Sequence, residues 1–173
     1  AKELLHTKAG EWVIDFGQLM TGWLEFNCDL PEGAKVYLQF GELLQNDCFY
    51  RYNLPSAKAE YTYISACCLA HVRPHTPFYG FRFVKVTGVD SIRLKDFTGC
   101  VIHSDLAVIG HVETSNAKVN QLIHNAFWGQ IGNFLDTPTD CPQRDERMGW
   151  TGDAEVFCPT ASFNMYTPAF YEK

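Results

Sequence analysis

Between residues 12 and 113 the apolar positions come in short bursts of period two. Residues 11–16 (EWVIDF) form an apolar run, and 17–22, which opens and closes on glycine, predicts a turn. Over 23–28 the side chains alternate, with Leu24, Phe26 and Cys28 on one face and Trp23, Glu25 and Asn27 on the other. Pro31, Glu32 and Gly33 mark a turn, after which 35–40 (KVYLQF) alternates again. Residues 45–55 carry little periodicity and several turn formers, which predicts a long loop. Residues 60–65 (EYTYIS) and 81–86 (FRFVKV) are rich in aromatic and β-branched residues, and with 97–103 and 107–113 they bring the predicted strands to about seven. Many short strands with turns between them predict an antiparallel β-sandwich, jelly-roll-like.

Near Thr114 the period changes. Ser115 is the predicted cap of a helix over 116–134, in which Val119, Leu122, Ile123, Ala126, Phe127 and Ile131 form one apolar stripe. Asp136, Thr137 and Pro138 are expected to end it. Asp153 is the predicted N-cap of a second helix over 154–165, which Pro159 should kink or divide, at about 3 kcal/mol if forced into a regular interior. Thr167 and Pro168 read as the start of another helix. The expected organisation is therefore mainly β with C-terminal helices: a β-sandwich over 1–113 and a helical unit over 114–173. The chain opens without Met and closes as a helix begins, so it is expected to be a piece of a longer protein, cut within its second unit.

Composition narrows the classes. At 46% hydrophobic and 20% charged residues the chain has a core to bury. A formal net charge of −6 argues against nucleic acid as a partner, which would need a basic patch. No apolar run approaches membrane-spanning length and no signal peptide opens the chain; compartment stays open between secreted, periplasmic and cytoplasmic. Seven cysteines, with Cys67 and Cys68 adjacent, read as mostly free, buried thiols rather than a disulfide framework.

The chemistry concentrates in 140–153, DCPQRDERMGWTGD. Four acids (Asp140, Asp145, Glu146, Asp153), Arg144, Arg147 and Trp150 share it with Pro142, Gly149 and Gly152. A solvated helix face spaces its charges at helical period and lacks such breakers, so the stretch reads as an irregular loop. Carboxylates and guanidinium groups hydrogen-bond sugar hydroxyls, and an indole offers a flat apolar face to a pyranose. Each residue also has a plainer reading. Glu146 could be an ion-paired surface glutamate, Asp140 could close an Asx-turn before Cys141, and Asp153 could only cap a helix. Arg144 could pair with Asp140 or Asp145 to hold the loop, and Trp150 could be core.

This loop, followed by AEVFCPTASFN, resembles the signature of the bacterial α-L-rhamnosidases of glycoside hydrolase family 78. The resemblance extends upstream through DFGQLMTGW (15–23), FYGFRFVKVTG (78–88) and HSDL (103–106), in the family's order. It implies an active site in an (α/α)6 barrel that follows β-sandwich domains, with 114–173 holding only its first helices. It also implies an exo-acting, inverting hydrolysis of terminal α-L-rhamnose from a glycoside or polysaccharide, without cofactor or metal. In that scheme a carboxylic acid protonates the leaving oxygen while a second carboxylate, roughly 6.5–9.5 Å away, activates water. Glu146 aligns with the family's general acid. Asp140, Arg144 and Asp153 align with residues that bind the sugar, Trp150 is the local candidate for an apolar wall against the rhamnose methyl, and Asp145 is a supporting carboxylate. Asp140, Asp145 and Asp153 could raise the pKa of Glu146 by like-charge repulsion, while Arg144 and Arg147 would oppose it. The family's general base lies on a later helix, so the isolated chain is expected to be inactive without the remainder of the parent chain.

Other constellations are weaker. Cys67, Cys68 and His71 could suggest a metal, but no second half at zinc spacing follows. Cys141 with His103 or His124 could be drawn as a thiol–imidazole pair, though packing is the simpler role for Cys141. His75 and His103 read as structural. Two other functions stand beside the rhamnosidase reading: a carbohydrate-binding or scaffolding β-sandwich module, and another α/α-barrel glycosidase.

Overall fold

A computed structural model describes residues 1–173. The strands are β1 (Glu3–His6), β2 (Trp12–Asp29), β3 (Lys35–Gly41), β4 (Leu43–Gln45), β5 (Cys48–Tyr50), β6 (Glu60–Ile64), β7 (Leu69–Val72), β8 (Tyr79–Thr87) and β9 (Phe97–Val101). Helix α1 (Ala117–Asn133), the short strands β10 (Phe134–Leu135) and β11 (Thr137–Pro138), then α2 (Thr151–Asn164) and α3 (Pro168–Tyr171) follow. Two compact units result: Ala1–Val101 with Gln143–Asp145, and Ile102–Pro142 with Glu146–Lys173.

The first unit is an antiparallel β-sandwich. Its main sheet runs β1-β2-β8-β3-β6, and β2 also pairs with β9 and β7. Although β8 and β3 separate β2 from β6 in that order, Phe26 of β2 meets Tyr63 of β6 edge-on at 5.9 Å. The sheet has therefore rolled over, and its two halves face each other. The alternation read from 23–28 and 35–40 lines the interior: Leu24, Phe26, Cys28, Val36, Leu38 and Phe40 are all buried. Phe40 stacks on Tyr79 at 4.0 Å and meets Phe81 edge-on at 5.0 Å. Each such side chain contributes about 1.5–3 kcal/mol on burial.

The expected turn at 17–22 is not a turn. β2 runs unbroken for 18 residues and absorbs the glycine as an irregularity, its register on β8 shifting between Asp15 and Met20. Gly17 takes φ 78°, and its N–H donates to Asp15 Oδ1 at 2.6 Å. Both Asp15 oxygens also accept from Arg82 of β8 at 2.8 Å. Two of the family-like stretches, DFGQLMTGW and FYGFRFVKVTG, are thus joined by one bidentate ion pair. Gly22, in the first of them, lies so close to Cys100 that a Cβ would fall 1.8 Å from its carbonyl oxygen.

Other expectations also change. Residues 45–55 are not one long loop, because Asn46 and Asp47 adopt positive φ (53° and 61°) and turn β4 back onto β5. Residues 107–113 are not a strand; only Val108 makes a bridge, to Met165. β1 and β7, too short to announce themselves by alternation, were not expected. The thiols are all free, but Cys28 alone is buried, and Cys67 and Cys68 are exposed.

In the second unit α1 is capped by Asn116 rather than Ser115, the Asn116 side chain accepting from the amides of Lys118 and Val119. α2 begins at Thr151, so Asp153 is not its cap but the third residue of its first turn, where a carboxylate faces the positive end of the helix dipole. Trp150 holds the cap position with extended backbone and no side-chain bond. Pro159 does not divide α2; its missing N–H would have gone to Glu155, and both residues lie on the exposed side of the helix. Buried Phe134, Ala161 and Phe170 form a small core with Leu106, Phe157 and Tyr171 around it. HSDL, the third family-like stretch, fastens here: the Ser104 amide donates to Phe134 O at 2.7 Å and its hydroxyl accepts from the Asp136 amide at 2.9 Å. The predicted stripe on α1 is helical but not buried, with Leu122 67% exposed.

Candidate active site

The charged loop is closed at its base. Thr139 and Gly149 form an antiparallel bridge, and the Thr139 amide and hydroxyl both donate to Asn133 O at the end of α1, at 2.8 and 2.9 Å. Ends held together around an irregular span make this an Ω-type loop, which water can reach along most of its length.

Within it Asp140, Cys141 and Glu146 converge. The Cys141 thiol lies 3.0 Å from Asp140 Oδ2 and 3.0 Å from Glu146 Oε2, placed to donate to either carboxylate. One ligand atom from each of the three residues lies within 4.8 Å of the others, so this is also the donor set that could hold a cation. Burial, reinforced by the hydrogen bonds to Glu146 and Asp140 and by their negative charge, holds the thiol far above its ordinary pKa. The Cys141 thiol is thus engaged by two carboxylates and not by an imidazole, which removes the thiol–imidazole reading. For Asp140, burial pushes the carboxyl up, but the Cys141 thiol and the backbone amides of Cys141, Asp140 and Met148 outweigh it and hold the group below its usual value.

Arg144 and Asp145, adjacent to Glu146 in sequence, belong by their contacts to the β-sandwich unit. Asp145 accepts a hydrogen bond from Ser56, and that bond, with its own backbone amide and Arg144, keeps its carboxyl low. Arg144 stands near Glu42, a half-buried carboxylate raised by burial and opposed by Arg144 and by Asn53, which donates to it. Gln143 presses onto β8, where a Cβ on Gly80 would come within 2.6–2.8 Å of the Gln143 side chain and backbone. That contact explains why FYGFRFVKVTG needs a glycine at its third place.

Asp140 and Asp153 line a cavity of about 660 Å³ whose walls include Gln130, Asn133, Phe134, Phe157 and Tyr171. The fold brings Asp140, Cys141 and Glu146 together, sets Asp153 on the same cavity as Asp140, and leaves Trp150 half exposed (52%) just ahead of α2. Gln130 was missed. It is 1% exposed, donates to Ala161 O at 3.2 Å and accepts from Asn164 at 2.9 Å, tying α1 to α2 beside the cavity. Its signal was a polar residue four places after Ala126 and seven after Ile123, on the apolar face. The Cys67–Cys68–His71 metal reading falls, because the two ring nitrogens of His71 lie 3.1 Å from Asn27 Oδ1 and Glu25 Oε2, away from the thiols.

Residues 5–103 match the family model of the bacterial alpha-L-rhamnosidase concanavalin-like domain, and residues 107–173 that of the bacterial alpha-L-rhamnosidase 6 hairpin glycosidase domain. An alpha-L-rhamnosidase of Streptomyces avermitilis is 39% identical over 176 aligned residues, and one of Formosa agariphila is 40% identical over 169. These alignments cover 100% and 95% of this chain but only 17% and 18% of those relatives. Among solved structures, Streptomyces avermitilis alpha-L-rhamnosidase complexed with L-rhamnose superposes with a TM-score of 0.95 at 38% identity, over 99% of this chain and 17% of that one. The alpha-L-rhamnosidase from Dictyoglumus thermophilum gives a TM-score of 0.92 at 35% identity, over 98% of this chain and 20% of its own.

Proposed function

This chain belongs to the bacterial α-L-rhamnosidase family, and we propose that it carries the general-acid side of an active site that removes terminal α-L-rhamnose from glycosides or polysaccharides with inversion. Glu146 is the general acid. Asp140 and Asp153 bind sugar hydroxyls, Arg144 and Trp150 complete the subsite, and Asp145 supports the loop. On this reading the helical unit is the beginning of an (α/α)6 barrel.

The observation that carries the proposal is the pairing of Asp140 and Glu146 through the Cys141 thiol, on a loop within the span matched to the glycosidase domain. An inverting base must stand roughly 6.5–9.5 Å from the acid to admit water. Asp140, with an oxygen within 4.8 Å of one on Glu146, stands too near for that role and suits a hydroxyl acceptor instead. The chain spans under a fifth of the Streptomyces avermitilis and Formosa agariphila relatives, and the base is assigned to the remaining length of a protein built like them.

Titration of the ¹⁵N-labelled chain with L-rhamnose, and with an unrelated hexose as control, tests the subsite. Rhamnose-specific shifts are expected at 139–153 and on the cavity walls of α1 and α2. Shifts confined to the sandwich pocket lined by Asn27, Asp29, Asp90 and Arg93 would favour a carbohydrate-binding module instead. Turnover of an aryl α-L-rhamnoside by residues 1–173 alone would remove the need for a base elsewhere.

A further inference from the structure

The turn joining β6 to β7 contains Cys67 and Cys68, which take no part in the proposed chemistry. In an extended strand, consecutive side chains point to opposite faces. Here both residues adopt left-handed backbone, with φ 81° and 62°, the alternation is broken, and the two Sγ atoms lie 2.9 Å apart. A non-glycine residue in that region is strained and persists only where its surroundings fix it. They do so from both sides. The Cys67 amide donates to Ser65 Oγ at 3.3 Å, and that buried hydroxyl donates to Leu30 O at 2.8 Å. On the other side Leu69 pairs with Asp29 in the β2–β7 ladder. Both thiols are exposed, whereas the other five are buried or half-buried.

We propose that Cys67 and Cys68 form a redox-sensitive vicinal dithiol, which closes reversibly to an internal disulfide when it meets a small-molecule disulfide such as oxidised glutathione. One thiolate attacks a glutathione sulfur, forming a mixed disulfide and expelling the first glutathione thiolate. The neighbouring thiol then loses its proton and attacks the protein-bound sulfur, expelling the second. Two protein thiols are oxidised and one glutathione disulfide is reduced to two thiols, so electrons and protons balance. Geometry makes the product a switch rather than a staple. Adjacent Cα atoms are about 3.8 Å apart, below the span of about 4.4–6.8 Å that disulfides usually bridge. A strained, exposed disulfide is the reducible kind. The Cys67 hydrogen bond, desolvation and the Asp29 carboxylate hold the Cys68 thiol above its ordinary pKa, which lowers its thiolate fraction and slows its exchange.

The test incubates the whole chain with oxidised glutathione, quenches with an alkylating reagent and maps the peptides by mass spectrometry. The peptide carrying residues 67–68 is expected to lose the mass of two hydrogens without gaining glutathione, and excess reduced glutathione should restore both alkylatable thiols. Cys67→Ser and Cys68→Ser should each trap a lasting glutathione adduct on the remaining cysteine. A persistent adduct in the unsubstituted chain, two thiols that stay reduced, or a bridge from either residue to a different cysteine would each overturn the proposal.

Discussion

Cys141 shows how much one side chain can decide. Its thiol lies against two carboxylates, and each of them makes loss of the proton harder. The sign follows directly. A thiol whose folded pKa is raised adds stability in full below its ordinary value of 9.0, and that contribution is lost as pH rises above it. In the folded chain Cys141 should therefore resist iodoacetamide at a pH where an unfolded thiol reacts. Glu146→Gln removes one of the two negative neighbours and should move the onset of alkylation to lower pH, read peptide by peptide. An identical onset in that variant would mean that the thiol does not face Glu146. The sequence made Cys141 a packing residue because a lone cysteine between Asp140 and Pro142 carries no pattern; its role depends on Glu146 folding back across an irregular loop.

Among the elements, β2 governs the sandwich, since it pairs with β1, β7, β8 and β9. Its weak point, the irregularity at Gly17, is held by Asp15, which is 5% exposed and bonded to both the Gly17 amide and Arg82. Arg82, then the Gly17 amide, keeps the Asp15 carboxyl below its ordinary value against the opposing effect of burial. Such a group contributes stability that is present above its unfolded pKa, near 3.8, and is lost as pH falls through the lower folded value. Asp15→Asn should cost about 1–3 kcal/mol near neutral pH, because it removes the buried carboxylate of a bidentate, charge-assisted pair. The loss should shrink in acid, where the unsubstituted chain gives up the same interaction; denaturant melts at both pH values read it, and an equal loss at both would refute the ion-pair account. Strand alternation was legible because Leu24, Phe26, Leu38 and Phe40 repeat the two-residue period of a half-buried sheet. The Gly17 irregularity was not, since Gly17 and Gly22 look alike in sequence while one relieves backbone strain and the other makes room for Cys100. The helix start was misread for a similar reason: Asn116 and Ser115 are both good caps, as Asp153 also is, and only the backbone geometry chooses among them.

At the scale of the whole chain the two units differ in how much they bury. The sandwich encloses a core running from Val13 to Phe97, whereas the helical unit rests on Phe134, Ala161, Met165 and Phe170. Its helices leave Leu122, Val156 and Phe163 67%, 84% and 53% exposed. The stripe on α1 was legible as a helix, but periodicity records only that a face is apolar and not that anything within these residues covers it. Local opening free energy follows buried apolar contact, so backbone amides of α1 and α2 should exchange with deuterium well before those of β2 and β8. Opening of the helical unit without the sandwich would appear as two separate protection classes, divided near residue 102. Equal protection in both units would mean that the chain unfolds as one cooperative body and that the small core of the helices is not its limit. If the classes do separate, the loop carrying Asp140 and Glu146 sits in the less protected unit. If L-rhamnose binds this loop as proposed, it should raise the protection of α1 and α2 above that of the unliganded chain, since a ligand stabilises only the states that bind it.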